Sequence, residues 1–249
     1  MFATSDRSLV NTPAAARLGQ ACQATGAVSG AVAAWGPALP SASLSFLAPL
    51  GRAASIVKIG KGEEIIAQDD PARFCFQVVE GCVRSLCRLE DGRRQVSEFL
   101  LSGDIFGLDS GSTHEFAAEA VTEATIRKIR LSAIEAEAEA DPRFALDLRR
   151  HMAVQAKAMR HRLVLLGRMT AAERTAAFLL EMNARLGCPA RGIVNLPMCR
   201  GDMADYLGLT IETVSRCLSE LKRTGAISVK GAQIVVQNRR ALAPGETLH

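Results

Sequence analysis

The hydrophobic positions of the 249-residue chain change their period along the sequence. From about Ser55 to Arg130, short apolar runs of strand type alternate with turn signals, as in SIVKI followed by GKGE and CFQVV followed by EG. Asp91-Gly92 falls between two such runs, a composition typical of a hairpin turn. Several short strands at close spacing predict a small β-barrel or jelly roll.

Between about Asp141 and Met169 the period becomes helical. Asp141-Pro142 is a suitable start because proline fits the first helical turn. Six positions step by four and three alternately, close to the a/d pattern of a paired helix: Leu148, Met152, Gln155, Met159, Arg162 and Leu166, with Leu163 beside the imperfect Arg162 position. Periodicity alone favours equally a dimerisation helix and an amphipathic helix that packs on its own chain.

After Thr170 the pattern changes again. It predicts a helix ending at Gly187, a strand in RGIVNLPM, a short helix, a longer helix ending at Gly225, and a hairpin that turns at Lys230-Gly231. This order describes a winged helix-turn-helix. The predicted fold class is therefore α+β, with an N-terminal β-roll, a long dimerisation helix and a C-terminal winged helix-turn-helix.

The same pattern divides the chain into four segments. Residues 1–42, rich in Ala, Gly, Ser and Pro, are expected to be a loosely ordered extension. The β-roll is expected at 43–140, the dimerisation helix at 141–169 and the winged helix-turn-helix at 170–249. No long apolar run predicts a membrane span, and the first residues lack the features of a secretion signal, so a cytoplasmic location is expected.

Charge and composition add a few constraints. The net charge of the chain is +4. The segment from Arg191 to Arg240 has eight basic and four acidic residues, so its own net charge is also +4. Such a region permits nucleic-acid binding. The chain has four histidines and lacks a phosphate-binding glycine loop, a zinc-binding His-Glu helix and a nucleophile elbow, so an enzyme is not expected.

The window CRGDMADYLGLTIETVSRCLSELKRTG carries the candidate functional site. In its first helix Met203, Ala204 and Leu207 are expected to face inward, Gly208 permits a tight turn, and Thr210 caps the second helix. The second helix is expected to have an apolar face, formed by Ile211, Val214, Leu218 and Leu221, and an opposite polar face, formed by Glu212, Ser215, Arg216 and Ser219.

The polar face suits the reading of DNA bases. Arg216 can present two donors to guanine, Glu212 can accept from an amino group of cytosine or adenine, and Ser215 can reach a base edge or a thymine methyl. The alternative is a solvated helix face, but the adjacent turn, wing and positive charge favour DNA binding. The expected DNA-binding residues are Glu212, Ser215, Arg216, Arg200, Thr210, Thr213 and Ser219.

The string MCRGDMADYLGLTIETVSRCLSELKRTGAISVKGAQIVVQ resembles the DNA-binding domain of the Crp/Fnr superfamily, and its ETVSR core is similar to the Fnr and FixK branches. The resemblance covers roughly residues 43–240. It implies a β-roll of the cyclic-nucleotide-binding type, a homodimer, and RNA polymerase as a partner. It also implies that Glu212, Ser215 and Arg216 read a half-site resembling TTGAT twice in a palindrome, with the two recognition helices about 34 Å apart.

Departures from the superfamily's patterns bear on the signal. The cyclic-nucleotide branch resembles a set of proteins with a phosphate-binding cassette, which contains a Glu followed by an Arg. The corresponding loop of this chain, FGLDSGSTHEFAAEA, has Leu108 at the position expected for the carboxylate and contains no arginine. An iron-sulfur cluster needs four thiolates. The Fnr branch resembles an iron-sulfur protein with cysteine ligands clustered near the N-terminus and one more near the end of the β-roll. Here the N-terminal extension has only Cys22, and Arg127 stands at the position expected for the cysteine near the end of the β-roll. His114 is expected to be solvated rather than a haem ligand, and no cofactor or metal is expected.

Without a nucleotide cassette or cluster ligands, the chain resembles the FixK branch most. This resemblance implies a regulator of low-oxygen metabolism that binds DNA without a small effector. We expect an activator of low-oxygen genes. An effector-dependent sensor of haem or a small ligand, and a repressor, remain open as alternatives.

The seven cysteines are odd in number and scattered, which predicts reduced thiols. Cys75, Cys82 and Cys87 lie in strand-like runs and are expected to be small buried hydrophobes, and Cys217 is expected to serve packing. Cys199 begins the first motif helix, where the helix terminus and Arg200 favour a reactive thiolate. Oxidation there would place polarity or negative charge near DNA, so Cys199 is an expected redox-regulatory site. The alternative is a replacement for serine without consequence.

Overall fold

The described part of the chain, which in this computed structural model is residues 47, 49–51, 53–108, 111–186, 192–230 and 233–242, runs from a β-rich region through long helices to a smaller α+β region. These residues all belong to the compact unit Ala33–His249. The predicted fold class is confirmed. The predicted extension 1–42 lies outside the described residues. Among the described residues, no helix combines the length and apolar content that a membrane crossing requires.

Eight strands form the β-roll. They are β1 (Ala54–Ile59), β2 (Glu64–Ile66), β3 (Phe74–Glu80), β4 (Cys82–Arg88), β5 (Arg94–Leu101), β6 (Ile105–Phe106), β7 (Ala117–Ala120) and β8 (Ala124–Arg130). They pair antiparallel in two sheets, with the orders β1-β8-β3-β6 and β2-β7-β4-β5. Inward-facing residues such as Val78, Leu100 and Ile126 fill the core.

The strand-like runs of the sequence, SIVKI, CFQVV, VRSLCRL, QVSEFLL and ATIRKI, all form strands, and Asp91-Gly92 lies in the turn between β4 and β5, with Gly92 at φ 83°. Strands β2, β6 and β7 were not predicted. They have two to four residues each, too few for a period-two pattern to be recognised.

Two helices follow the β-roll, α1 (Leu131–Ala140) and α2 (Pro142–Arg168). The Asp141 carboxylate accepts a hydrogen bond from the backbone N–H of Arg143 at 2.8 Å, and Pro142 occupies the first turn, so the predicted start of α2 is confirmed. Helix α1 was not predicted, because Ile134 is its only buried residue and its apolar period is correspondingly weak.

Part of the predicted a/d row on α2 faces its own chain, which is one of the two alternatives that periodicity left open. Gln155 Nε2 donates to the carbonyl of Ile105 at 3.1 Å, and the Arg162 guanidinium lies 3.4 Å from the centre of the Tyr206 ring, so both predicted pairing positions face their own chain. Leu148 and Leu166 are half-buried. The exposed apolar row, here called the α2 stripe, instead consists of Met152, Ala156, Met159 and Leu163.

The remaining elements follow the predicted order of a winged helix-turn-helix. They are α3 (Ala171–Leu186), β9 (Ile193–Asn195), α4 (Arg200–Leu207), α5 (Ile211–Arg223), β10 (Ile227–Lys230), β11 (Gln233–Val236) and a 3-10 helix, Arg240–Leu242. The three strands form one antiparallel sheet in the order β10-β11-β9. The predicted turn residue Gly231 and helix end Gly187 lie outside the described residues.

A single apolar cluster joins the β-roll to the winged helix-turn-helix. Phe99 on β5 meets Phe178 on α3 and Tyr206 on α4, with ring centroids 6.1 and 5.1 Å away. Aromatic contacts of this kind add to the stabilisation that burial of the rings provides. The two regions are therefore packed together through a shared core.

Candidate nucleic-acid interface

A glycine turn sets the angle between α4 and α5. Gly208 adopts φ 62° and ψ 44°, a left-handed conformation in which a side chain would be strained. Thr210 follows as the N-cap of α5, and its Oγ1 accepts from the backbone N–H of Thr213 at 3.2 Å. Met203 and Leu207 of α4 are buried, as predicted. The turn and the cap are thus in the predicted positions.

Helix α5 has the predicted division into two faces, with one exception. Val214 and Leu218 are buried and Leu221 is half-buried, whereas Ile211 is 50% exposed. The prediction that Ile211 is buried is therefore wrong. Gly201 of α4 lies near this residue, since a Cβ added there would be 3.8 Å from the Ile211 Cδ1 atom, and as a glycine it offers Ile211 no side chain to pack against.

The seven residues predicted to bind DNA lie on one surface, formed by the start of α4 and the outer face of α5. Arg200 Nη1 donates to Ser215 Oγ at 3.2 Å, and Arg216 Nη2 donates to Thr213 Oγ1 at 3.2 Å. Ser219 Oγ donates to the Ser215 carbonyl at 2.8 Å. Glu212, Arg216, Arg200, Thr210 and Ser219 are exposed, and Thr213 and Ser215 are half-buried.

The charges on this surface suit a nucleic acid. Arg200 and Arg216 donate to neutral hydroxyls, which bases or phosphates can replace as acceptors. The pKa of the Glu212 carboxyl is lowered by its backbone amide, then by the Thr210 hydroxyl, with a smaller effect of Arg216, so this side chain is an acceptor at neutral pH. The surface therefore offers both donors and an acceptor to base edges.

Cys199 is exposed at the N-terminus of α4, next to this surface. Its Sγ accepts from the backbone N–H of Asp202 at 3.4 Å, while Asp202 Oδ2 accepts from the Cys199 backbone N–H and thiol, each at 3.3 Å. This reciprocal arrangement is a capping box, so cysteine does cap this helix. The Cys199 thiol thus contacts the Asp202 carboxylate, whereas the Arg200 guanidinium donates to the Ser215 hydroxyl.

The other described cysteines differ from Cys199 in exposure. Cys75 and Cys82 are buried as predicted, and burial raises the pKa of each thiol to about 12. Cys87 is only half-buried, contrary to the prediction, because it lies at the hairpin end of β4, beyond the last residue that pairs with β7. Cys217 is half-buried on α5. In the part of the chain that the structure describes, no three His, Cys, Asp or Glu residues form a group that could hold a metal ion.

Comparisons with known proteins agree with this geometry. Residues 173–244 match the family described as the Crp-like helix-turn-helix domain, and residues 56–141 match the cyclic nucleotide-binding domain. The nitrogen fixation regulation protein FixK of Rhizobium meliloti (strain 1021) is 42% identical over 188 residues, which cover 76% of this chain and 85% of that protein. The chain belongs to the FixK branch of the Crp/Fnr superfamily.

Two further comparisons support the assignment to the FixK branch. FixK of Azorhizobium caulinodans is 39% identical over 186 residues, covering 73% of this chain and 75% of that protein. The structure of FixK2 from Bradyrhizobium japonicum aligns with a TM-score of 0.72 at 45% identity, covering 79% of this chain and 98% of that one. By their names, the two FixK proteins are regulators rather than enzymes.

The β-roll of this FixK-branch chain bounds a cavity of about 640 Å³ against α2. A cyclic nucleotide is an anion, and it needs cationic or N–H donors that are free to bind its phosphate. The cavity's arginines are already engaged: Arg162 stacks on Tyr206, and Arg185 pairs with Asp104 and Glu181. The lining also includes carboxylates, Glu98 and Glu115 among them, and Leu108 at the expected carboxylate position. These residues do not fit a cyclic nucleotide.

His114, in the loop between β6 and β7, is not solvated as predicted. It is 4% exposed, and its backbone pairs with Asp69 and Asp70: His114 N–H donates to the Asp70 carbonyl, and the Asp69 N–H donates to the His114 carbonyl, both at 2.8 Å. The neighbouring bridge between Pro71 and Thr113 holds the loop in this position. The described part of the loop around His114 is folded onto the roll, which its polar sequence did not indicate.

Sequence reasoning missed the polar contacts between the β-roll and α4. Arg84 and Arg94 reach Asp202, and Arg94 also reaches Asp205. These partners are more than 100 residues apart in the chain, so no local spacing connects them. The only local signal was Asp202 at the third position after the Cys199 cap.

Proposed function

We propose that this protein is a sequence-specific transcription activator of low-oxygen genes, which binds as a homodimer to a palindrome with half-sites resembling TTGAT. The observation that carries the proposal is the outward polar face of α5, on which Glu212, Ser215 and Arg216 stand together beyond a buried apolar face. A helix of this construction fits the major groove.

The DNA-binding residues divide into two groups in this proposal. Glu212, Ser215 and Arg216 contact base edges and specify sequence. Arg200, Thr210, Thr213 and Ser219 contact the phosphate backbone and position the helix. Support comes from the contacts of Arg200 with Ser215 and of Thr213 with Arg216, since each links a residue of one group to a residue of the other.

The α2 stripe supports the homodimer. Met159 and Leu163 are 60% and 67% exposed, and with Met152 and Ala156 they repeat at the four-and-three spacing of paired helices. Exposed apolar side chains at this spacing favour burial against a second copy of α2. The domain division that we propose is therefore a β-roll at 43–140, a dimerisation helix at 141–169 and a winged helix-turn-helix at 170–249.

We further propose that DNA binding needs no small effector. The shared apolar core of Phe99, Phe178 and Tyr206 supports this, because it docks the winged helix-turn-helix on the β-roll through the chain's own side chains. RNA polymerase as partner, activation rather than repression, and a cytoplasmic location follow from the resemblance to the FixK branch and belong to the same proposal.

The test is equilibrium binding of the purified protein to a labelled TTGAT palindrome and to a scrambled duplex of equal length, with and without cyclic AMP. We expect a preference for the palindrome of about a thousandfold or more, and no change on adding the nucleotide. Equal affinity for the two duplexes would contradict the proposal. A preference that appears only with the nucleotide would contradict its effector-free part.

The cavity favours one second candidate, an effector-dependent regulator. Its volume of about 640 Å³ is within the range of small-molecule sites, and its walls are mainly apolar. A haem would give a visible absorption band in the purified protein. A colourless protein that binds the palindrome with full affinity in its isolated form excludes this candidate.

We also propose that oxidation of Cys199 weakens DNA binding. The exposed thiol adjoins the surface that carries Arg200, and hydrogen peroxide would convert it to a sulfenic acid with release of water. Further oxidation adds negative charge, which repels DNA phosphates. Peroxide treatment should lower the affinity of the wild type but not of Cys199→Ala, and equal losses in both would contradict the proposal.

A further inference from the structure

A charged joint connects the β-roll to the first helix of the DNA-binding motif. Asp202 Oδ1 accepts from Arg84 Nη1 at 2.7 Å and from Arg94 Nη2 at 2.9 Å. Asp205 Oδ2 accepts from Arg94 Nε at 2.5 Å. The Asp202 side chain is only 4% exposed, so its charge is satisfied by these arginines and by the cap of α4 rather than by water.

The β-roll holds Arg84 from its other side. Glu119 on β7 accepts from Arg84 Nε at 2.9 Å, so the guanidinium is fixed between the sheet and α4. A charged group with partners on both sides has little freedom to move without leaving one of them unpaired. The joint therefore restrains the translation of α4 along the sheet.

The other end of α4 is held as well. Gln95 Nε2 donates to the Asp205 carbonyl at 2.5 Å, and Arg162 of α2 donates to the Tyr206 carbonyl. The last carbonyls of a helix have no partners within the helix, so these side chains complete its C-terminus. Helix α4 is thus fixed at its N-terminal and C-terminal ends by side chains from outside the winged helix-turn-helix.

The position of α4 determines that of the recognition helix. The two helices are joined by the tight Gly208 turn, and Arg200 at the start of α4 bonds Ser215 on α5. A dimer that reads two half-sites must hold its recognition helices about one DNA turn apart. The charged joint is placed to set this separation, because it fixes α4, and through it α5, to the β-roll strands β4 and β5, the second of which Arg162 of α2 also contacts.

We propose that Arg84 and Arg94 are positioning residues that set the spacing between half-sites, although neither reaches DNA. The inference rests on the proposed function and extends it to two residues of the β-roll. It predicts that loss of these side chains relaxes the preference for half-site spacing while the bases preferred within each half-site stay the same.

The chain offers matched controls for this experiment. Arg88 lies on β4 with Arg84, and Arg93 directly precedes Arg94. Arg88 pairs with Glu64 and Glu119, and Arg93 pairs with Asp91. All of these partners lie within the β-roll, so neither control arginine pairs with α4. Replacing any of the four arginines by glutamine removes one positive charge from the same domain. The change in net charge is therefore the same in test and control variants.

The measurement is the affinity of the full-length variants for the palindrome with its native spacing and with one base pair inserted or deleted between the half-sites. We expect the ratio of native to altered-spacing affinity to fall about tenfold in Arg84→Gln/Arg94→Gln, as loss of charge-assisted hydrogen bonds predicts. It should stay at the wild-type value in Arg88→Gln/Arg93→Gln. Arg84→Lys, which keeps a donor near Asp202, should recover part of the ratio.

One result would overturn the inference: a double variant that keeps the wild-type spacing ratio, whether its affinity for all operators is unchanged, uniformly lower or uniformly higher. Arg94→Gln alone covers the case in which the double variant does not fold, because the Arg94 side chain is 35% exposed. Its spacing ratio should also fall. A wild-type protein that does not prefer the palindrome would instead contradict the proposed function.

Discussion

The proposed recognition face of α5, which carries Glu212, Ser215 and Arg216, and the charged joint at α4 use the same residue types in opposite surroundings. On the recognition face Arg216 is exposed and meets a hydroxyl, so its donors are available to an incoming acceptor. In the joint, Arg84 is 16% exposed and its donors are divided between Glu119 and Asp202. The comparison shows that an arginine paired with carboxylates of its own chain serves to hold the fold together, whereas one that meets only a hydroxyl keeps donors available for a ligand.

The largest expected difference between the two regions is in stability. Asp202→Ala leaves Arg84 and Arg94 without their shared carboxylate and removes part of the α4 cap, so we expect the free energy of unfolding to fall by about 3 kcal/mol. Denaturant unfolding measures this. Asp205→Ala, in which the lost side chain is 28% exposed, is the control and should cost about 1 kcal/mol. Equal losses would show that burial of Asp202 does not matter to the joint.

Arg216→Ala tests the recognition face. It should cost about 1 to 3 kcal/mol of DNA binding and relax the preference at one base pair of each half-site, with little change in stability. Affinities for operators with each base pair of the half-site replaced give both values. A loss of the same size at every substituted operator would assign Arg216 to the phosphate backbone instead.

Arg200→Gln tests the boundary of the recognition face and should have a smaller effect. We expect weaker binding to all sequences alike and a decrease of about one in the slope of log affinity against log salt concentration. Titrations at several salt concentrations on specific and scrambled DNA are needed. An unchanged slope would remove Arg200 from the phosphate contacts.

The smallest expected effect concerns Glu98, on the cavity wall. Burial, and then the neighbouring Asp104 charge, raise the pKa of Glu98, so its charged form opposes folding above that raised pKa and the cost disappears below the unfolded pKa of about 4. Glu98→Gln should therefore raise Tm at pH 7 to 8 and lose this advantage as pH falls toward 4. Glu90→Gln on the exposed hairpin is the control. An equal gain at both pH values would contradict the sign of the shift.

The recognition face could be predicted from sequence because its information is local. Gly208, Thr210 and the spacing of Val214 and Leu218 are sufficient to orient α5, and the polar residues between them then share a face. Ile211 was misplaced because periodicity does not report that its neighbour across the turn is Gly201. A local pattern specifies a helix face but not what covers it.

The joint and the α2 stripe could not be predicted in this way. Arg84 and Asp202 are 118 residues apart, and only the folded chain brings them together. On α2, Gln155 and Arg162 lie in the row that could pair with a second helix, yet Gln155 bonds the β-roll and Arg162 bonds both the β-roll and the winged helix-turn-helix. Where a helix carries two rows at this spacing, the sequence period alone cannot tell which row packs on its own chain.

Selection of bound sites from random DNA by the full-length protein tests the central claim most directly, because it presupposes neither a sequence nor a spacing. Arg216→Ala should be carried through the same selection. We predict a two-fold symmetric site with TTGAT-like half-sites for the wild type and one degenerate base pair per half-site for the variant. Recovery of sites without two-fold symmetry, or of the same sites by both proteins, would contradict the assignment of α5 as the recognition helix.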